Sequence, residues 1–158
     1  CFYEAQKNFY GCMPLGRPTQ ECIDKEHDTM RTYDFTMHRV ELHAIMSQMD
    51  EFIRWANKRW ADGIREATNT EDDAMRRQVL LDSFYLLRVA CLLMHPVVSK
   101  GCEMICDYLD FAPEDLFSWN YDFEDMDELC SAGEITAGHP VRELPPRFDF
   151  FKKHESQF

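Results

Sequence analysis

Between positions 54 and 65 the sequence places Arg54, Lys58, Arg59 and Arg65 against a single acid, Asp62, with Trp55 and Trp60 interleaved among them. Positive charge beside aromatic rings is how single-stranded RNA is held, with phosphates on the cations and splayed bases stacked on the rings. The plainer alternative is a solvated helix face with tryptophans turned into the core. At 100° per residue Trp60 falls on the apolar stripe of its helix and is a core residue, whereas Trp55 falls at the margin. Arg54 and Lys58 leave from the opposite side, and Arg65 joins them if the helix continues that far. The candidate RNA-binding set is therefore Arg54, Trp55, Lys58, Arg59 and Arg65.

Other chemistry is not supported. No glycine-rich phosphate cradle, HExxH or GxSxG occurs. The histidines (27, 38, 43, 95, 139, 154) are scattered, and none is paired at metal spacing with a third ligand. Asp72-Asp73 and Glu124-Asp125 are adjacent in sequence, so their carboxylates diverge. The seven cysteines form no CxxC pair; Cys102 and Cys106 share a helical face, which is half of a metal site with nothing to complete it. Cys91 reads as a small buried hydrophobe, and all seven fit reduced thiols. No catalytic residue, metal ligand or cofactor is expected, and the chain is not expected to be an enzyme in its own right.

Several elements must position the basic segment. A short amphipathic piece over 2–11 closes at Gly11, and two prolines and a glycine make 12–18 a loop. A charged helix follows from Thr19 or Gln20 to Tyr33. The strongest amphipathic signal runs from Thr36 to Ala61, where Leu42, Ile45, Met46, Met49, Phe52, Ile53, Ala56 and Trp60 recur at three- and four-residue steps. Gly63 is expected to end or bend that helix. Thr70 caps the next, whose stretch 79–94 is apolar nearly all round and marks the most buried element. Asp82, Ser83 and Arg88 interrupt that stretch, so it is not expected to span a bilayer. His95-Pro96 breaks the helix, and Pro96 opens another to Leu109. The sum is an all-α bundle of four to five helices. A single domain covers 1–158, divided into a helical bundle (1–110), an acidic loop (111–133) and an extended C-terminal strap (134–158) that packs Leu144, Phe148, Phe150 and Phe151 onto the helices.

Length and charge bound these expectations. The chain has 158 residues, 17 Lys and Arg against 29 Asp and Glu, and a formal net charge of −12, which opposes general nucleic-acid binding. The charge is uneven. Residues 1–110 carry 13 basic and 18 acidic side chains, residues 111–133 carry seven acids and no base, and residues 134–158 carry four of each. The acidic run lacks the glycine and the terminal glutamate of a calcium loop. With Cys1 rather than Met at its start, the chain is expected to be a piece of a longer protein.

The order of motifs resembles the anticodon-binding helical domain of methionyl-tRNA synthetases. Phe9-Tyr-Gly11 and Met13-Pro14 match its first helix end and loop, and Tyr33-Asp-Phe35 with Ala56-Asn57 match its aromatic junction and long helix. Leu86-Leu-Arg-Val89 through His95-Pro-Val97 match the next helix, and Trp119, Gly133-Glu-Ile135 and Leu144-Pro-Pro-Arg-Phe148 match the closing segment. Leucyl-, isoleucyl- and valyl-tRNA synthetases share this domain. The resemblance implies a cytoplasmic protein whose domain holds a tRNA anticodon stem-loop while a separate catalytic domain, absent from this chain, charges the 3′ end using ATP and methionine. Family members carry a Pro-Trp pair that aligns with 63–66, where this sequence has no tryptophan. An alternative is a protein-interaction module that keeps the bundle without RNA contact.

Overall fold

The apolar stretch 79–94 is wrapped by the rest of the chain. Leu80, Leu81, Phe84, Tyr85, Leu86, Val89, Leu92 and Leu93 are all buried, which covers about two-thirds of the helix circumference at 100° per residue, while Val79, Ser83, Leu87, Ala90 and Met94 on the remaining face are partly exposed. The computed structural model describes residues 1–119 and 138–151. Among these residues the chain is an all-α bundle of five helices with one small strand pair. In order they are α1 (Phe2–Asn8), β1 (Cys12–Met13), α2 (Gln20–His38), α3 (Leu42–Asn69), α4 (Asp73–Leu109), α5 (Pro113–Leu116) and β2 (His139–Pro140). Against α4 pack Phe2 and Ala5 of α1, Met30 and Tyr33 of α2, and Ile45, Met49 and Phe52 of α3. By length and composition α4 could cross a membrane, but its apolar faces are spent on this core.

Helix ends differ from expectation in instructive ways. The aromatic junction 33–35 continues α2, because Tyr33 is buried with its hydroxyl donating to Leu93 O at 3.1 Å and Thr36 is buried beside it. The helix ends instead at Val40, whose φ is +57°. Val40 N bonds Met37 O (2.9 Å) and Glu41 N bonds Thr36 O (3.3 Å), the paired bonds of a Schellman stop without its usual glycine. Leu42 and Met46, expected in the core stripe, are 64% and 47% exposed because they sit beside that turn. Gly63 lies inside α3, which runs on to Asn69. Thr70 ends α3 rather than opening α4, and the cap of α4 is Asp72, whose Oδ1 accepts from Met75 N at 2.9 Å. Pro96 stays within α4, and the backbone breaks two residues later at Val98 (φ −130°, ψ 51°).

The C-terminal segment closes over α1. Met13 pairs with His139 and Cys12 with Pro140 in an antiparallel strand pair. Gly138 turns the chain there at φ +119°, where a Cβ would lie 2.6 Å from Met13 O. Phe148 and Phe150 join Phe2 and Tyr108 in a ring cluster with centroids 5.1–6.3 Å apart. Leu144 is buried, and Phe151 lies over Gly101. Residues 120–137 and 152–158, which hold most of the acidic run, Cys130, Gly133-Glu-Ile135 and His154, lie outside the described residues.

Candidate nucleic-acid interface

All five candidate residues project from the C-terminal two-thirds of α3, and the ion pairs they make divide them. Arg54 Nε donates to Asp50 Oδ2 at 2.7 Å one turn back, and Arg65 Nη2 donates to Asp62 Oδ1 at 2.6 Å; all four side chains are exposed. Lys58 is exposed and pairs with no carboxylate among the described residues. Arg59 differs in kind. Its Nη2 donates to Thr19 Oγ1 (2.8 Å) and Asp82 Oδ2 (3.0 Å), and its Nη1 pairs with Glu21. Asp82, with only 3% of its side chain exposed, also accepts from Thr19 N (2.9 Å), Thr19 Oγ1 (2.8 Å) and Gln78 Nε2 (3.0 Å).

Arg59 therefore ties α3 to the start of α2 and the middle of α4. Beneath it, burial pushes the Cys22 thiol up to about 11, so Cys22 stays neutral and adds no charge to the network. The acid in the apolar stretch of α4 was the available signal for this arrangement, because a buried carboxylate needs a cation and donors. Nothing local in the sequence announced which cation would come.

Trp55 is half-buried, with Lys25 Nζ and Arg59 Cζ each 5.9 Å from its ring centroid. Lys25, on α2, was not among the sequence candidates, because neighbours across helices leave no trace in spacing. A groove of about 400 Å³ brings Trp55, Lys58 and Arg59 together with Glu21, Asp62 and Glu66, with Met75 and Val79 in its wall. The groove thus holds more acids than the segment alone implied. Trp60 faces a separate apolar groove of about 160 Å³ between α3 and α4, beside Ile53, Ala56 and Leu87. Among the described residues no group of three His, Cys, Asp or Glu side chains is placed to hold a metal.

What this arrangement can do is bind. It offers one unpaired cation, a ring with cations alongside it, and two exposed arginines whose carboxylate partners solvent can replace.

No protein-family model matches the chain, and no curated protein sequence matches it significantly. Among solved structures it is similar to the apo (free-state) methionyl-tRNA synthetase of Mycobacterium tuberculosis, with a TM-score of 0.59 and 18% identity over 96% of this chain. The match occupies 30% of that enzyme's chain. At this identity the likeness is one of fold.

Proposed function

We propose that this chain is the tRNA anticodon-binding domain of a cytoplasmic methionyl-tRNA synthetase, holding tRNA(Met) for ATP-dependent aminoacylation by a catalytic domain elsewhere in the parent protein. The observation that carries this reading is the similarity of nearly the whole chain to one part of such an enzyme. The order of motifs from Phe9-Tyr-Gly11 to Leu144-Pro-Pro-Arg-Phe148 supports it independently. In this reading Lys58 anchors a phosphate, Trp55 offers its ring to an unstacked base, and Arg54 and Arg65 exchange Asp50 and Asp62 for phosphates. That exchange costs little, because exposed ion pairs contribute little to stability. Arg59 holds the platform in place and does not itself reach the RNA.

The test is a titration of the 158-residue chain with a fluorescent tRNA(Met) anticodon stem-loop at low salt, with an acceptor-stem hairpin as control. Binding of the stem-loop alone is expected, and Lys58→Glu should weaken it by roughly five- to tenfold as one phosphate contact becomes a repulsion. Equal binding of both hairpins, or an unaltered Lys58→Glu variant, would sink the assignment. A protein-interaction module is the second reading, favoured by the pairing of Arg54, Arg59 and Arg65 within the chain itself. Its signature is no RNA retention even at low salt.

A further inference from the structure

Two cations lie against the ring of Trp55, and they are held in different ways. Arg59 is fixed: its guanidinium donates to Thr19 Oγ1 and Asp82 Oδ2 and pairs with Glu21, so it cannot leave without dismantling a buried network. Lys25 is loose. Its Nζ stands over the ring at 5.9 Å from the centroid, and its pair with Glu51 Oε1 is 3.9 Å long. That carboxylate is 79% exposed, so the pair contributes little to holding the lysine. Glu51 lies on α3 one turn before Trp55, within easy reach of a lysine leaving the ring.

We propose that Lys25 is a displaceable cover on Trp55: it occupies the stacking surface in the free chain, yields it to an unstacked base, and moves onto Glu51. The inference rests on the RNA-binding reading of this face, and it gives Lys25 a role opposite in sign to that of Lys58. An ammonium and a nucleobase are drawn to the same π surface and compete for it. A cation over an exposed ring is worth about two- to fivefold in an equilibrium constant, and a stacked base about five- to 150-fold, so the base wins.

The surroundings of Lys25 argue against the plainer role of a phosphate contact. Lys58 opens into the groove that holds Trp55 and Arg59. Lys25 instead lines a separate polar pocket of about 140 Å³ with Asp28, Thr29, Thr32, Gln48 and Glu51. A phosphate that reached its ammonium there would meet two carboxylates, whereas an ammonium that retreats there is welcomed by them.

The consequence is discrimination. A base stacked inside a duplex presents no free face to exchange for the lysine, and a splayed loop base does. The cover therefore costs some affinity for every RNA and raises the preference for unpaired bases.

The test makes two measurements on the 158-residue chain. In a Trp60→Phe, Trp119→Phe background Trp55 is the single tryptophan, and acrylamide quenching reads its exposure without RNA. Lys25→Ala should raise the quenching, and Lys25→Arg, whose planar guanidinium stacks on a ring more fully, should lower it. The second measurement titrates each variant with a fluorescent tRNA(Met) anticodon stem-loop at about 150 mM salt, where distant charges are screened. Lys25→Ala should tighten binding by about two- to fivefold, and Lys25→Arg, with its charge kept, should weaken it. A phosphate contact gives the reverse order, and that order overturns the proposal. Quenching unaltered in both variants overturns it as well. If the stem-loop binds but the order is reversed, the cover alone falls; if no variant retains RNA, the RNA reading falls and the cover with it.

Discussion

Both oxygens of Asp82 are filled, and the donors come from three parts of the chain: Thr19 at the start of α2, Arg59 of α3 and Gln78 of α4 itself. A buried carboxylate so arranged depends on its cation, because removing the partner leaves a buried charge uncompensated. Replacing Arg59 by Met keeps the aliphatic stem and removes the neutralising charge, leaving three donors to an uncompensated anion. Breaking a fully buried pair costs 3–5 kcal/mol; Arg59 is a quarter exposed, so about 2 kcal/mol is expected here. Arg65→Ala, whose pair is exposed on both sides, should leave the urea midpoint unchanged. If both variants shift it equally, Asp82 is not the hub described. The comparison also separates the two roles on α3, because Arg59→Met should disturb Trp55 through the fold and Arg65→Ala should not.

At the scale of helices, the glycine that looked like a stop is a packing residue. A Cβ on Gly63 would lie 2.8 Å from Val79 Cγ2 and 3.0 Å from Cγ1, so α3 and α4 approach closely because nothing is there. Gly63→Ala gains about 1 kcal/mol of helix propensity and loses about 1–3 kcal/mol to overpacking, a net destabilisation of about 1 kcal/mol. In a Val79→Ala background the clash is gone, and the same substitution should become neutral or stabilising. A double-mutant cycle by urea denaturation reads this directly, and additive effects would show that the two residues do not meet. The same contrast explains what was legible in the sequence. The amphipathic stripe of α3, the all-round apolar run of α4 and the Phe148 and Phe150 packing follow from periodicity and composition. The helix ends did not, because the left-handed stops at Val40, Glu71 and Asp110 use no glycine while Gly63 sits mid-helix. The basic segment was visible as residues in a row. The pairing of Arg59 was not, because Glu21 and Asp82 come from other helices.

For the whole molecule the question is how a chain of net charge −12 could hold RNA. Seven of its acids lie within 111–133, and the cations of α3 are mostly answered by acids nearby. What remains for phosphates is Lys58, with Arg54 and Arg65 once their carboxylates are displaced, so three contacts are the ceiling. Counterion release then sets a limit on the salt dependence: at about −0.7 per contact for a single strand, the slope of log K against log salt should be no steeper than about −2. Raising salt from 50 to 200 mM should weaken the anticodon stem-loop by at most about 16-fold, where an extended basic surface would lose far more. The rest of the charge works in the same direction by repelling RNA that does not reach this face. Binding titrations at four or five salt concentrations give the slope. A value near −4 would require five or more phosphates, which α3 alone does not have the cations to meet, and the RNA would then have to engage a surface other than this one.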